Sequence, residues 1–277
     1  MKTGNGKVQT RKDNVNMKVK EIIAELEKDY TPQMAMAWDN PGLQVGRMDR
    51  SVKKIYVALD ATEDTIRECI SWGADLLVTH HPLLMSGIKK VNSEDYLGRK
   101  VLMMAENGIA HYAMHTNYDT AKMSELAWKA LKLEETQILE VTGADEEGRA
   151  YGIGSVGSLP EKMTARECCE YVKNAFDLSN VRLFGDPETE ICRLAVSPGS
   201  GKSMIGPALA ARADILVTGD IGHHDGLDAV DQGLLIIDAG HYGIEHIFIR
   251  QMAEHLKKLF PELEIREAKA ADPFAVF

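Results

Sequence analysis

Ala74-Asp75-Leu76-Leu77-Val78-Thr79-His80-His81 reads as a buried strand that runs straight into two metal-capable side chains. Its unbroken apolar middle is the pattern of a strand covered on both faces, as in a parallel sheet. The phrase returns as Ala213-Asp214-Ile215-Leu216-Val217-Thr218, which continues Gly219-Asp220-Ile221-Gly222-His223-His224. After each copy comes an intervening element, another apolar strand and a histidine. Self-similarity of this kind predicts two related α/β lobes.

Working outward, Val19, Ile22, Ile23 and Leu26 mark a helical stripe between 19 and 30. A turn-rich loop, Trp38-Asp39-Asn40-Pro41-Gly42, precedes the short apolar run 43–45. A strand is predicted over 54–59, then a helix opened by Asp60 or Thr62 and closed after Trp72 by Gly73. A helix over 96–107, a strand over 108–114 and a helix over 120–131 follow. This is the βαβ alternation of a mostly parallel sheet covered by helices. The middle stretch, 139–232, is the expected second lobe and includes the Gly-rich strand 151–157. The first lobe is expected to comprise 17–138 and 233–277. Met1–Asn16 is polar and basic without apolar periodicity, and reads as a flexible extension.

The 277 residues suffice for two lobes with their own cores. A formal charge of −10 argues against non-specific nucleic-acid binding, which needs a basic footprint. A nucleotide or other small anionic substrate stays compatible, because bound cations reverse the local field. Cys69, Cys168, Cys169 and Cys192 lack metal-finger spacing, and reduced thiols are expected. No apolar run has the length of a membrane span and no secretory signal is visible, so a cytoplasmic protein without membrane contacts is expected.

Three clusters carry the chemistry: His80-His81, His115 with Asp119, and His241 with Glu245. Each lies where a strand-like run ends, the edge at which α/β sheets form ligand sites. His241 and Glu245 are i and i+4 on the first turn of a helix marked by Ile244, Ile247, Phe248, Met252, Leu256 and Leu259 and stopped before Pro261. Mixed imidazole and carboxylate ligands suit zinc, iron, manganese, cobalt or nickel, and carboxylates can bridge two such divalent ions. The quieter readings stand beside this one. His80-His81 fits an ordinary hydrogen-bonding pair at a strand end, and Asp119 fits a helix cap. His115 suits a residue holding Asp119 or a ligand histidine in place. Ser197-Pro198-Gly199-Ser200-Gly201-Lys202-Ser203 follows a strand as a P-loop would, but Val196 stands where its first glycine is required. A tight glycine turn with some anion affinity is expected instead. His223-His224 reads equally as a cleft-facing or a polar turn pair, and Lys89-Lys90 and Lys257-Lys258 as solvated faces.

With these residues assembled, the chain resembles the NIF-three-like dinuclear metal-centre family, the GTP cyclohydrolase 1 type 2 homologues. The matching segments are Trp38 to Gly46, Val78-Thr79-His80-His81-Pro82-Leu83, His115-Thr116-Asn117-Tyr118-Asp119, Thr218-Gly219-Asp220 and Asp238 to Glu245. The resemblance implies two α/β lobes with a dinuclear metal site in the cleft between them, and a toroidal homohexamer. It places five ligands to two divalent ions per chain on His80, His81, Asp119, His241 and Glu245, with Glu245 and Asp119 touching or bridging both. It implies a metal-dependent, GTP cyclohydrolase-like hydrolase; in such an enzyme a metal-activated hydroxide is expected to open the purine at C8 and release formate, with His115 or His224 as candidates to move protons. The alternative is a non-catalytic protein that binds and delivers ions.

Overall fold

The computed structural model describes residues 17–269 and 272–276, so the extension expected at 1–16 lies outside the described residues. Helix α1 (Val19–Asp29) and strand β1 (Gly42–Val45) lead to β2 (Lys54–Ala58), α2 (Glu63–Trp72), β3 (Leu76–Thr79), α3 (Tyr96–Glu106) and β4 (Ala110–Ala113). Then α4 (Thr116–Tyr118), a π-helical turn (Asp119–Met123) and α5 (Ser124–Ala130) form one continuous helical stretch. Next come β5 (Glu134–Ala144), β6 (Ala150–Thr164), α6 (Ala165–Phe176), β7 (Arg182–Phe184), β8 (Glu190–Ser200) and α7 (Ile205–Ala210). The chain ends with β9 (Ile215–Gly219), α8 (His223–Asp231), β10 (Leu235–Asp238), α9 (His241–Glu245), α10 (Ile247–Leu259) and β11 (Glu264–Glu267).

Two sheets result. The first has the order β1-β4-β3-β2-β11 and the second β5-β6-β8-β9-β10-β7. Each has a parallel run, β4-β3-β2-β11 in one and β8-β9-β10 in the other; antiparallel strands flank it at the β1 edge of the first sheet and on both sides in the second. The mixed α/β class and the two lobes match expectation.

The sequence echo is structural. Asp75 at the head of β3 accepts the backbone N–H groups of Lys53 and Lys54 at 2.9 and 3.1 Å. Asp214 at the head of β9 does the same for Cys192 and Arg193, both at 2.8 Å. Each of these carboxylates therefore caps the neighbouring strand's start. A left-handed residue precedes each copy, Gly73 (φ +73°) and Arg212 (φ +54°), where the helix before it stops. Gly108 (φ +65°) and Gly233 (φ +87°) occupy the matching turns before β4 and β10.

Strand pairing departs from the expected lobe bounds at two places: β5 starts at Glu134, inside the expected first lobe, yet pairs with β6 in the second sheet. Return to the first lobe was placed at 233, but Leu235–Asp238 pairs with β9 and β7 in the second sheet. Helix α9 packs there too, with Ile244 in the core formed by Val196, Val217 and Ile237. Helix α10 crosses back, burying Phe248, Met252 and Leu256 against Val57, Val78 and Tyr112 of the first sheet, where β11 then pairs with β2. An apolar strand fits either sheet by pattern, so pairing decided this. The helix expected from 120 also starts earlier, at Thr116, and widens into the π turn at Asp119. Such turns are frequent at functional sites.

Candidate metal centre

Strand β3 ends at Thr79, and the chain bends at once, so His80 and His81 escape the alternation of an extended strand. Both rings turn toward one cleft, with centroids 5.0 Å apart. His115, after β4, and Asp119, one helical turn on, reach the same place from the first lobe. His241 and Glu245 come from the second lobe on α9. Their ring and carboxylate atoms meet in three overlapping groups: His81 with His241 and Glu245, His80 with Asp119 and Glu245, and His80 with His81 and His115. Within each group the atoms lie within 4.8 Å of one another.

Every imidazole is tied back by its other nitrogen. His80 Nδ1 lies 2.9 Å from the Met114 carbonyl, which only accepts, so Nδ1 carries the proton and Nε2 keeps its lone pair. His81 Nδ1 donates to Asp60 at 2.8 Å, His115 Nδ1 to Asp39 at 2.8 Å and His241 Nδ1 to Asp220 at 2.7 Å. An outer acceptor on each ring is the arrangement that fixes the tautomer of ligand histidines and raises their basicity.

Glu245 divides the cluster. Its Oε2 lies 3.0 Å from both His81 Nε2 and His241 Nε2. Its Oε1 lies 3.6 Å from His80 Nε2, which is 3.4 Å from Asp119 Oδ1. Two donors each about 2.1 Å from one ion stand about 3.0–3.4 Å apart at octahedral or tetrahedral angles. The donor set therefore fits a metal ion on either side of Glu245. Among the described residues His80 Nε2 and Asp119 Oδ1 are buried without a hydrogen-bond partner, and two acceptor nitrogens, of His81 and His241, face each other at 3.2 Å. A shared cation is the partner that both observations call for.

The electrostatics agree. Burial disfavours charge on Glu245, which is 2% exposed, but His80, His241 and His81 outweigh it and hold the carboxyl well below its usual range. Burial likewise lowers the affinity of His241 for a proton, yet Glu245 and Asp220 raise its pKa to about 9. Desolvation of Asp39 is overcome by hydrogen bonds from His115 and Thr116, leaving its pKa at about 2. A centre that keeps its carboxylate ionised and draws positive charge onto its imidazoles also draws metal cations.

The five expected ligands are thus brought together, with His115 beside them. Asp119 sits on the His80 side alone, whereas Glu245 spans both. His224 is not brought in: it lies at the exposed start of α8, its ring beside His223 at 5.1 Å. The glycine turn is closer than its sequence suggests. Gly199 (φ +78°) lies against Glu245, and an added Cβ would be 2.6 Å from Oε1. Asp39, Asp60 and Asp220 hold these rings, a role that the sequence reading did not give them, although Asp39 and Asp220 fall in its matching segments. Their signal was faint: Asp220 occupies the place in the second copy that His81 holds in the first.

The Duf34/NIF3 (NGG1p interacting factor 3) family matches residues 17–273. A Clostridium perfringens protein named GTP cyclohydrolase 1 type 2 homolog is 34% identical over 262 residues, spanning 93% of this chain and 99% of that protein. Reduced HcgD from Methanocaldococcus jannaschii has a similar structure, with a TM-score of 0.78 at 32% identity over 91% of this chain and 98% of that one. A Bacillus cereus protein related to NIF3 shares the fold, with a TM-score of 0.89 at 24% identity, covering 94% and 99% of the two chains. Fold, site and sequence together make the chain a member of the Duf34/NIF3 family.

Proposed function

We propose that this protein is a hydrolase acting on a nucleotide through two divalent transition-metal ions held by His80, His81, Asp119, His241 and Glu245. The observation that carries the reading is the division of Glu245 between two ligand sets, with Oε2 toward His81 and His241 and Oε1 toward His80. Two ions so held would polarise a substrate oxygen and bring the pKa of a water toward neutrality. His115 borders both sets, and its bond to Asp39 fixes which nitrogen faces substrate, so it is the residue placed to move a proton. For a GTP cyclohydrolase-like reaction, as the relatives' name suggests, one water opens the imidazole ring at C8 and a second releases that carbon as formate. A homo-oligomer, a hexamer by the family resemblance, and a cytoplasmic location belong to the same reading.

The second reading is a protein that stores or delivers ions. The partial exposure of His241, at 33% of its side chain, favours it, because an accessible ligand permits exchange. Formate release from GTP, measured beside transfer of labelled zinc to an apo-acceptor, separates the two. Release that follows metal occupancy supports the hydrolase; ready transfer with no release by fully loaded protein overturns it.

A further inference from the structure

Beside the metal centre, at the carboxyl ends of β9 and β10, lies a cavity of about 360 Å³ that neither ligand set uses. This is the edge at which parallel α/β sheets bind ligands, and the volume is in the range of small-molecule sites. Asp220, the anchor of His241, forms part of its wall with Gly240; Asn180 and Arg182 supply polar groups, and the rings of Tyr242 and Phe274 line it. Phe274 comes from the C-terminal segment, and its ring tip reaches to 4.0 Å from where a Cβ on Gly240 would stand. The C-terminal segment thus completes the cavity over the turn that carries His241.

The polar complement is specific. Asp220 gives Oδ2 to His241 Nδ1, and among the described residues its Oδ1 accepts no hydrogen bond. Arg182 uses Nη2 for Asp238 and the Ile221 carbonyl, leaving Nε and Nη1 without a partner among the described residues. Asp238 spends both oxygens on Arg182, Ile221 and Gly240. The carboxylates of Asp220 and Asp272 beside one partly free guanidinium therefore favour a neutral ring that donates at several positions and accepts at another. Guanine does both along the edge away from C8: its N1–H and amino group donate, and O6 accepts from an arginine. Adenine presents an amino donor where the guanidinium needs an acceptor. The aromatic rings add faces for stacking.

We infer that this cavity binds the guanine base of a nucleotide with C8 turned toward the metal centre, with Asp220 and Arg182 reading the opposite edge of the base and Phe274 stacking on it. The inference rests on the nucleotide-hydrolase reading and names the base-binding site for it. Asp220 then has two tasks, one oxygen for the base and one for a metal ligand.

Guanosine is the probe, because without phosphates it has no strong anionic group for the ions to capture. Calorimetric titration of metal-loaded full-length protein should show one guanosine bound per chain and much weaker adenosine binding. Phe274→Ala should weaken guanosine binding about 5- to 150-fold, the span of stacking losses per base, with metal content and melting unchanged. Arg182→Lys, which keeps the charge beside Asp238, should erode the preference over adenosine. Absence of guanosine binding, equal binding of adenosine, or unaltered binding by Phe274→Ala overturns the inference. Formate release without guanosine binding would sink the base site and leave the hydrolase, whereas guanosine bound by a protein that releases no formate supports the site and sinks the cyclohydrolase reaction.

Discussion

Replacing Gly199 by alanine tests the metal centre without touching a ligand. The residue sits at φ +78°, where a left-handed alanine costs about 1 kcal/mol relative to glycine. The larger effect is local. The new methyl group would lie 2.6 Å from Glu245 Oε1 and 3.8 Å from His241 Nε2. Carbon–oxygen contacts settle near about 3.3 Å, so the carboxylate has to retreat by roughly 0.7 Å. Metal–ligand distances tolerate only about 0.2 Å. Glu245 therefore loses its grip first through Oε1, on the side of His80 and Asp119. We expect that ion to bind at least about 100-fold more weakly, about 2.8 kcal/mol, while the backbone strain lowers the melting temperature by only a few degrees. Elemental analysis after dialysis against buffered zinc, with calorimetry for the affinities, reads both sites. Gly206→Ala is the control, since nothing lies within 4 Å of its Cβ position, and helical alanine there should be neutral or stabilising by about 0.5–1 kcal/mol. Gly199→Ala protein that holds two ions as tightly as the unaltered chain would refute the geometry.

Asp220→Asn should weaken metal binding about 10- to 100-fold, because the amide no longer holds the His241 tautomer by charge; calorimetry with zinc checks it. Chelation should leave cooperative melting in place, since each lobe has its own buried core; a melt that broadens into a gradual slope would argue for a structural metal. His111 is fully buried, and burial pushes its pKa down to about 3. Its folded pKa lies below the unfolded value near 6.5, so the unfolded chain alone gains this proton as pH falls, and stability drops between about pH 6.5 and 3 by up to ~1.4 kcal/mol per unit. Against chelated wild type, His111→Leu should flatten that part of the acid profile in urea melts; an unchanged slope would show that His111 titrates in the native state. His115→Ala should lower any turnover more than metal content, whereas His224→Ala, remote from the ligand groups, should affect turnover less; the reverse order would move the proton-transfer role to α8.

Much of this was legible in the chain because burial on both faces of β3 and β9 leaves a hard apolar signature, and the histidines stand directly at the strand ends. The echo of 74–79 in 213–218 extended to backbone detail, down to the capping carboxylates Asp75 and Asp214. What stayed hidden depends on distance in sequence. Asp39 and Asp60 meet their histidines across 76 and 21 residues, and nothing local in an aspartate announces such a partner. Sheet membership of β10 could not be read, since Leu235-Ile236-Ile237 suits either core. The split of Glu245 needed coordinates, because helical spacing places it near His241 but says nothing of which oxygen faces which ring.

The two lobes contribute unequally to one seam. His80, His81 and Asp119 belong to the first, His241 and Glu245 to the second, and Glu245 faces groups from both. An ion seated on either side of that carboxylate would thus be a cross-link between the two lobes, removable by a chelator as a disulfide is by a reductant. At a free concentration 100 times its dissociation constant, each such link would hold the lobes together with about 2.7 kcal/mol. Stiffness between the lobes would then report the cell's supply of metal, whichever reaction the cleft performs.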